Sequence, residues 1–331
     1  MIRIENQSEE NRIPLIVIEG PTSAGKSDIA VLVAKALDGE IISADSMQVY
    51  REMDIGTGKI RPEEMGGIPH FLLDIADPED AFDLARFKEA AKEAVLDVWR
   101  RGKIPVLCGG TGFYIQAVVK DIDFSSASPS EEYRRELEEF AEREGNDALH
   151  AILREKDPDA AAAIHPNNRK RVIRALEFLH ETGGKISEKN RSDKEQPSPY
   201  DAMIFFIDMD RAELYQKIEK RVDLMLEAGL VEEVRTLKER GLTRNDVSMQ
   251  GLGYKEILAY LEGETSLEEA VRILKRDTRH FAKRQLTWFR HDREAVRIAR
   301  EDYGNDAVKI AEAVAGMIRE HYGETIYKTG K

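Results

Sequence analysis

The sequence has very little cysteine. Cys108 is the only thiol in 331 residues, which excludes an internal disulfide framework and a zinc site built from cysteines. The seven histidines are scattered along the chain without the spacing of metal ligands. We therefore expect that any catalytic metal is held mainly by oxygen atoms.

Long apolar runs are also missing. No stretch approaches the roughly 18 to 20 apolar residues that a membrane span needs, and residues 1–12 lack the apolar centre of a secretory signal. These absences predict a cytoplasmic protein that has no membrane association. The hydrophobic content of 41% is still enough for a substantial core, and the length allows two domains.

Positive charge is scarce overall, with 50 Lys and Arg against 63 Asp and Glu and a net charge of -13. This balance argues mildly against nucleic-acid binding, because such a surface must neutralise phosphates. The charges are unevenly distributed, however. Residues 165–191 contain 7 basic and 3 acidic side chains, residues 272–297 contain 9 and 3, and residues 131–159 contain 5 and 11. Two separated basic segments are typical of a localised polyanion site. For either segment taken alone, a solvated helix face is at least as good an interpretation.

The order of apolar segments predicts the fold class. A buried strand at 13–19 precedes a helical pattern that begins at Lys26, a second strand ends at Asp45, and a helix over 84–101 leads into the strand of "IPVLCGGTG". Strands that alternate with helices predict an α/β fold, a P-loop NTPase-like parallel sheet flanked by helices. In such a sheet the ligand lies at the carboxyl ends of the strands.

The domain organisation follows from the change of pattern near residue 125. Apolar strands stop there, charged helical segments follow as far as the polar, proline-containing stretch before residue 200, and "AMIFFIDMD" then restores a buried strand. We predict a core domain formed by 1–124 and 200–331, the second part with C-terminal helices, and an inserted all-helical domain at 125–199.

A glycine-rich loop follows the first predicted strand. Gly20, Gly25, Lys26 and Ser27 match the pattern G-x-x-x-x-G-K-[ST] between a strand and a helix, which is the context that this phosphate-binding loop requires. Backbone N–H groups, the helix N-terminus and the Lys26 ammonium favour phosphate, and the Ser27 hydroxyl can reach a magnesium ion. The loop predicts a bound phosphate chain but does not indicate which molecule carries it.

Asp45 lies at the predicted carboxyl end of the second strand. Its position suits a metal ligand, a turn cap or a proton acceptor. Ser46, Gln48 and Tyr50 bring further hydrogen-bonding groups beside it, and a polar substrate needs such groups more than a simple cap does.

Five segments together resemble one family. "GPTSAGKS", "SADSMQVYREMDIGTGK", "GGTGFYI", "HPNNRKRVIRALE" and "KRQLTWFR" resemble, in the same order, the motifs of the tRNA dimethylallyltransferases, the bacterial-type tRNA isopentenyltransferase family. The resemblance extends over residues 15–290. It implies transfer of a dimethylallyl group from dimethylallyl diphosphate to N6 of the adenosine 3′ of the anticodon, with loss of pyrophosphate assisted by Mg²⁺. It also implies a monomer whose partners are the anticodon stem-loop of tRNA and the diphosphate, with no obligatory protein partner.

The resemblance also implies a role for individual residues. Asp45 would be the general base on the adenine amino group, Thr111 would lie beside the reacting centre, and Arg221 would contact the leaving pyrophosphate. The diphosphate would lie in the loop of Gly20, Pro21, Thr22, Ser23, Ala24, Gly25, Lys26 and Ser27, with Mg²⁺ at Ser27. The residues that would contact tRNA are Asp45, Ser46, Met47, Gln48, Lys170, Arg171, Arg174, Gln250, Gly251, Gly253, Lys255, Lys283, Arg284 and Gln285.

Several residues of these motifs have ordinary structural interpretations. We predict that Trp288 packs in the core because it is an aromatic residue at helical spacing, with the apolar residues Phe281 and Leu286 nearby. Cys108 is predicted to be a small core residue. The glycines of 250–257 fit a turn at a helix start as well as a contact with RNA.

Three alternative functions remain open at this point. A P-loop kinase for a small hydroxyl substrate would use the same loop and a similar acid, but it does not need the basic segments. A noncatalytic RNA chaperone would not need Asp45. A prenyltransferase that acts on a free adenine nucleotide would not need the helical insertion.

Overall fold

A six-stranded parallel sheet forms the centre of the fold. The computed structural model describes residues 12–122 and 130–323. The strands are β1 Ile13–Glu19, β2 Gly39–Ser43, β3 His70–Phe71, β4 Ile104–Gly109, β5 Tyr200–Asp208 and β6 Val296–Ala299. They lie in the order β3-β2-β4-β1-β5-β6, and every pair of neighbours is parallel. The predicted parallel α/β sheet is confirmed.

Thirteen α-helices lie within the described residues. The first three follow strands of the sheet, and they are α1 Lys26–Leu37, α2 Leu84–Arg100 and α3 Gly112–Val119. Five more form the middle of the chain, and they are α4 Glu131–Glu144, α5 Asn146–Lys156, α6 Pro158–Ala163, α7 Arg169–Thr182 and α8 Ile186–Glu195. The last five are α9 Arg211–Glu227, α10 Leu230–Glu239, α11 Tyr254–Leu261, α12 Leu267–Phe289 and α13 Ala307–Tyr322. None of the helices in the described part is both long enough and apolar enough to span a membrane.

The chain divides into two compact units. One comprises Met1–Val119 and Pro199–Lys331, and the other comprises Lys120–Ser198. The smaller unit contains α4 to α8 and has its own apolar core, whose members include Leu149, Leu153 and Leu176. A separate buried cluster belongs to the sheet and its flanking helices. A segment that has its own apolar core can fold as a separate helical domain.

The burial of the central strands explains why their sequences read as unbroken apolar runs. Every residue of β1 and of β4 is buried, as expected for parallel strands that are covered on both faces. The second strand ends at Ser43, two residues earlier than predicted, so that Asp45 lies in the following loop. The short edge strands β3 and β6 were not predicted, because two and four residues give no readable periodicity.

The register of the sheet brings three loops to the same edge. Glu19 at the end of β1 pairs with Gly109 at the end of β4, and Ser43 at the end of β2 pairs with Cys108. The loops that follow β1, β2 and β4 therefore start side by side. They carry the glycine-rich loop, Asp45 and Thr111, and the carboxyl edge of a parallel sheet is where such folds bind ligands.

Candidate active site

The glycine-rich loop has a backbone that only particular residues can adopt. Gly20 has a φ of 152°, and a Cβ there would lie 2.6 Å from the carbonyl oxygen of Ile207, so a larger residue does not fit. Gly25 adopts a left-handed conformation immediately before α1. Lys26 begins the helix, and its ammonium donates a hydrogen bond to the Pro21 carbonyl at 2.7 Å. The loop thus curls around the start of α1, where N–H groups and the helix dipole favour an anion.

Asp45 is held by the turn that it begins. Its Oδ1 accepts a hydrogen bond from the N–H of Met47 at 2.9 Å, which leaves Oδ2 as the atom with capacity to accept a proton. Thr111, which follows β4, supports the same turn. Its hydroxyl oxygen accepts a hydrogen bond from the N–H of Ser46 at 3.2 Å, and its own N–H donates to the Ala44 carbonyl. The predicted general base and Thr111 are therefore in adjacent, linked turns.

Arg221 reaches the same region from α9. Its guanidinium donates to the carbonyls of Thr57 and Gly58 at 3.3 and 3.4 Å. The amide of Gln48 lies 3.5 Å from each of the same two carbonyls. A Cβ at Gly58 would lie 1.7 Å from the guanidinium, so this approach requires glycine. The loop at 57–58 thus holds Arg221 beside a residue of the Asp45 turn.

The charged groups of the site perturb one another. Burial, with Arg221 adding to it, lowers the pKa of Lys26 to about 8, while Cys108, Asp45 and Glu19 oppose the decrease. Burial also lowers the pKa of Arg221, and Asp45 and Glu64 oppose it. Two cations that are desolvated and close to each other are costly in the absence of an anion. A diphosphate at this position would stabilise the charged form of both.

Two buried oxygen atoms near the loop have no hydrogen-bond partner among the described residues. They are the hydroxyl of Ser23, inside the loop, and Oε1 of Glu19, the last residue of β1. Burial, together with Asp292, raises the pKa of Glu19 to about 8, and Lys26 opposes the rise. An unpaired buried polar atom is costly unless a ligand or water completes it. A phosphate oxygen in the loop would accept a hydrogen bond from the Ser23 hydroxyl.

Two residues far along the chain support the loop from outside, and sequence reasoning gave neither of them this role. Gln285 of α12 accepts a hydrogen bond from the Thr22 N–H at 2.9 Å and donates one to the Gly110 carbonyl at 2.8 Å. Arg300 donates to the Ala24 carbonyl at 3.0 Å, and its guanidinium occupies the space where a Cβ of Gly25 would lie. No local pattern indicates these contacts, because Gln285 is 263 positions from Thr22 and 175 from Gly110, and Arg300 is 276 positions from Ala24.

Comparison with known proteins assigns the family. A family model described as IPP transferase matches residues 48–292. The tRNA dimethylallyltransferase of Lachnoclostridium phytofermentans is 55% identical over 301 residues, which cover 91% of this chain and 96% of that protein. The tRNA dimethylallyltransferase of Halalkalibacterium halodurans is 46% identical over 308 residues, covering 92% and 98%. The chain belongs to the IPP transferase family.

Solved structures agree with this assignment. The crystal structure of a tRNA isopentenylpyrophosphate transferase from Bacillus halodurans has a TM-score of 0.69 and 45% identity, covering 93% of this chain and 97% of that chain. A eukaryotic dimethylallyltransferase acting on tRNA has a TM-score of 0.79 and 29% identity, covering 96% and 85%. The resemblance inferred from the motifs is confirmed.

The prediction for Trp288 is wrong for this member of the IPP transferase family. Its side chain is 41% exposed and makes an edge contact with Phe113, which is 50% exposed, with ring centroids 6.4 Å apart. In the C-terminal half of α12 the buried residues are instead Ala282, Gln285, Leu286 and Phe289. Trp288 lies outside this stripe, and Phe289 takes the core position. Cys108, by contrast, is buried as predicted.

The residues predicted to contact tRNA fall into three groups. Ser46, Met47 and Gln48 follow Asp45, and a Cβ at Gly251 would lie 2.5 Å from Cε of Met47, so the turn at 250–253 lies against them. Gly253 also precedes α11 with a positive φ, as a helix-start turn requires. Lys283 and Arg284 are exposed on α12. Gln285 is buried on the same helix, and Lys255 is exposed on α11 beside the turn at 250–253. The other three residues lie on α7 of the smaller unit, where Lys170 and Arg171 are exposed and Arg174 is half-buried.

Proposed function

We propose that this chain transfers a dimethylallyl group from dimethylallyl diphosphate to N6 of the adenosine 3′ of the anticodon in tRNA. The products are N6-isopentenyladenosine and pyrophosphate. One observation carries the proposal: the carboxyl ends of three adjacent strands bring the phosphate loop, Asp45 and Thr111 to one edge, and Arg221 joins them. The names of the related proteins support the same reaction.

The chemistry needs a base and an anion site close together. The N6 nitrogen attacks the first carbon of the allylic chain, the bond from that carbon to the diphosphate oxygen breaks, and Asp45 takes one proton from the amino group. An amino group conjugated with a purine is a weak nucleophile, so alignment and proton removal both lower the barrier. Lys26, Arg221 and the loop N–H groups stabilise the negative charge that develops on pyrophosphate.

Mg²⁺ fits the donor chemistry of this site. The residues described contain no cluster of three or more His, Cys, Asp or Glu side chains that would hold a metal. Magnesium is commonly bound by one or two protein oxygens together with substrate phosphates and water. The Ser27 hydroxyl, exposed at the start of α1, is the group that would hold it, and the ion would neutralise charge on the diphosphate.

The acceptor is proposed to be an RNA loop whose adenosine is turned out into the site, because enzymes that react with a base must extrude it. Lys283 and Arg284 on α12, and Lys170, Arg171 and Arg174 on α7, are proposed to contact the phosphate backbone. The base and its neighbours would be held by Ser46, Met47 and Gln48 together with Gln250, Gly251, Gly253 and Lys255. We also propose that the protein acts in the cytoplasm, as a monomer; a tRNA substrate supports this location.

Nucleoside analysis tests the proposal directly. The protein is incubated with unmodified tRNA and dimethylallyl diphosphate, and the digested tRNA is examined by mass spectrometry. We expect isopentenyladenosine in the full reaction and at most trace amounts with Asp45→Asn in the same time. Parallel reactions with free adenine nucleotide as acceptor, or with ATP as donor, separate the alternatives. A product only with the free nucleotide, or phosphate transfer from ATP, would contradict the proposal.

A further inference from the structure

One carboxylate outside the proposed catalytic set accepts four hydrogen bonds. Oε2 of Glu233, on α10, accepts from the N–H groups of Asp54 and Ile55 at 2.9 and 2.7 Å. Oε1 accepts from the N–H of Gly56 at 3.0 Å and from the hydroxyl of Tyr254 at 2.6 Å. Three consecutive backbone donors directed at one anion form a concave nest, the arrangement that elsewhere binds phosphate.

The nest is closed by the ring of Tyr254. This side chain is fully buried at the start of α11, and a Cβ at Gly56 would lie 2.5 Å from its ring. Burial, and after it the charge of Glu233, raises the pKa of the Tyr254 hydroxyl. The hydroxyl therefore stays protonated at neutral pH, where it donates its hydrogen bond to the carboxylate.

The next residues of the same loop contact Arg221, which belongs to the proposed catalytic set. The carbonyls of Thr57 and Gly58, which directly follow the nest, accept hydrogen bonds from Arg221. The next residue, Lys59, is buried, and its ammonium donates to the Tyr50 carbonyl and contacts Asp54. The backbone between the Glu233 nest and Lys59 is thus fixed at both ends, and Arg221 is held by the two carbonyls in between.

We infer that Glu233 is a positioning residue, whose carboxylate fixes the loop at 54–58 so that the carbonyls of Thr57 and Gly58 hold Arg221 at the diphosphate site. The inference rests on the proposed function, in which Arg221 contacts the leaving pyrophosphate. A charged acceptor is required, because a neutral amide would turn its own N–H donors toward backbone N–H groups. Glu233 binds N–H groups of the loop and Arg221 binds its carbonyls, so the carboxylate orders the loop through a different set of backbone groups from those that hold the guanidinium.

The chain offers a matched control beside it. Glu232 is exposed on the same helix and pairs with Arg235 at 3.2 Å, and such surface pairs contribute little. Glu233→Gln and Glu232→Gln therefore make the same chemical change at adjacent positions. Tyr254→Phe removes one of the four donors and keeps the packed ring, which provides a milder variant should Glu233→Gln not fold.

Two measurements test the inference. In steady-state prenyl transfer we expect Glu233→Gln to lower kcat/KM for dimethylallyl diphosphate by about 10- to 100-fold, which corresponds to a charge-assisted hydrogen bond. The KM for tRNA should stay within about twofold of the wild-type value, as a local effect requires. Tyr254→Phe should act in the same direction and less strongly, and Glu232→Gln should match the wild type.

The second measurement is calorimetry with inorganic pyrophosphate, in which Glu233→Gln should bind more weakly than Glu232→Gln.

A double-mutant cycle with Arg221→Lys decides whether the effect passes through Arg221. The double variant, which carries Arg221→Lys and Glu233→Gln, should lose clearly less kcat/KM than the two single losses added together. Both changes disturb the same interaction. Additive losses, or equal pyrophosphate affinities for Glu233→Gln and Glu232→Gln, would overturn the inference. If wild-type protein makes no isopentenyladenosine, the proposed function fails instead. The pyrophosphate comparison still tests Glu233 in that case.

Discussion

The carboxamide of Gln285 is hydrogen-bonded to the phosphate loop, where its Oε1 accepts from the N–H of Thr22 at 2.9 Å. Its other end donates to the carbonyl of Gly110, next to Thr111. A single buried side chain of α12 therefore sets the spacing between the loop after β1 and the loop after β4. The resemblance predicted that Gln285 contacts tRNA, and that role stays a prediction.

Replacement of this amide should distinguish the two roles. We expect Gln285→Met to raise the KM for dimethylallyl diphosphate by about tenfold, because the Thr22 N–H and the Gly110 carbonyl each lose a buried partner. The KM for tRNA should change little, and Lys283→Met on the exposed face of the same helix should show the reverse pattern. If Gln285→Met weakens only tRNA binding, the contact with RNA is the dominant one.

Asp45 should be required for transfer but not for binding of tRNA. Asp45→Asn keeps an oxygen for the Met47 N–H, so the turn is preserved, but it cannot take up the proton of the amino group. We expect the single-turnover rate to fall by about 10²- to 10⁴-fold, the usual contribution of a general base. The dissociation constant for tRNA, measured by filter binding, should be unchanged. Near-normal turnover would remove Asp45 from the mechanism.

Trp288 and Phe289 should differ sharply in their effect on stability, although they are adjacent. Phe289 is 1% exposed and belongs to the main core, so Phe289→Ala should lower the free energy of unfolding by about 3–5 kcal/mol. Trp288 is 41% exposed, and Trp288→Ala should cost less than about 1.5 kcal/mol. Denaturant titrations provide both values. Equal losses would contradict the assignment of the buried face of α12.

Glu19 should make stability depend on pH in the direction opposite to that of a salt-bridged acid. Its pKa is raised from 4.5 to about 8, so between these values the folded protein keeps a proton that the unfolded chain has released. The free energy of unfolding contributed by this group therefore falls as the pH rises through that window. Lys26, whose pKa is lowered to about 8, contributes its own pH dependence mainly above pH 8.

Glu19→Gln tests this pH dependence, because the glutamine side chain does not take up or release a proton. Relative to the wild type, the variant should gain at least about 1 kcal/mol of stability between pH 5 and pH 8, as the proton linkage requires. Thermal and denaturant unfolding at the two pH values provide the free energies of unfolding of both proteins. The test is how the difference between variant and wild type changes with pH, not its size at one pH. A constant offset would show that Glu19 has an ordinary pKa in the folded protein.

The features that depend on near neighbours in the chain could be predicted from the sequence. The glycine-rich loop, the helix that begins at Lys26 and the buried runs of β1 and β4 are specified by local rules of backbone geometry and apolar patterning. Because parallel strands end at a common edge, the position of Asp45 after such a strand also followed. The family resemblance added Thr111 and Arg221, which no local rule marks.

Tertiary structure alone decided which distant residues support those loops. Gln285 meets Thr22, Arg300 meets Ala24 and Glu233 meets the loop at 54–56, and each of these contacts joins residues more than 170 positions apart. The exposed face of α12 was decided in the same way: helical spacing relates Trp288 to apolar neighbours, but packing against the rest of the protein buries Phe289 instead. Periodicity defines which residues share a face, whereas burial of that face depends on what the folded chain places against it.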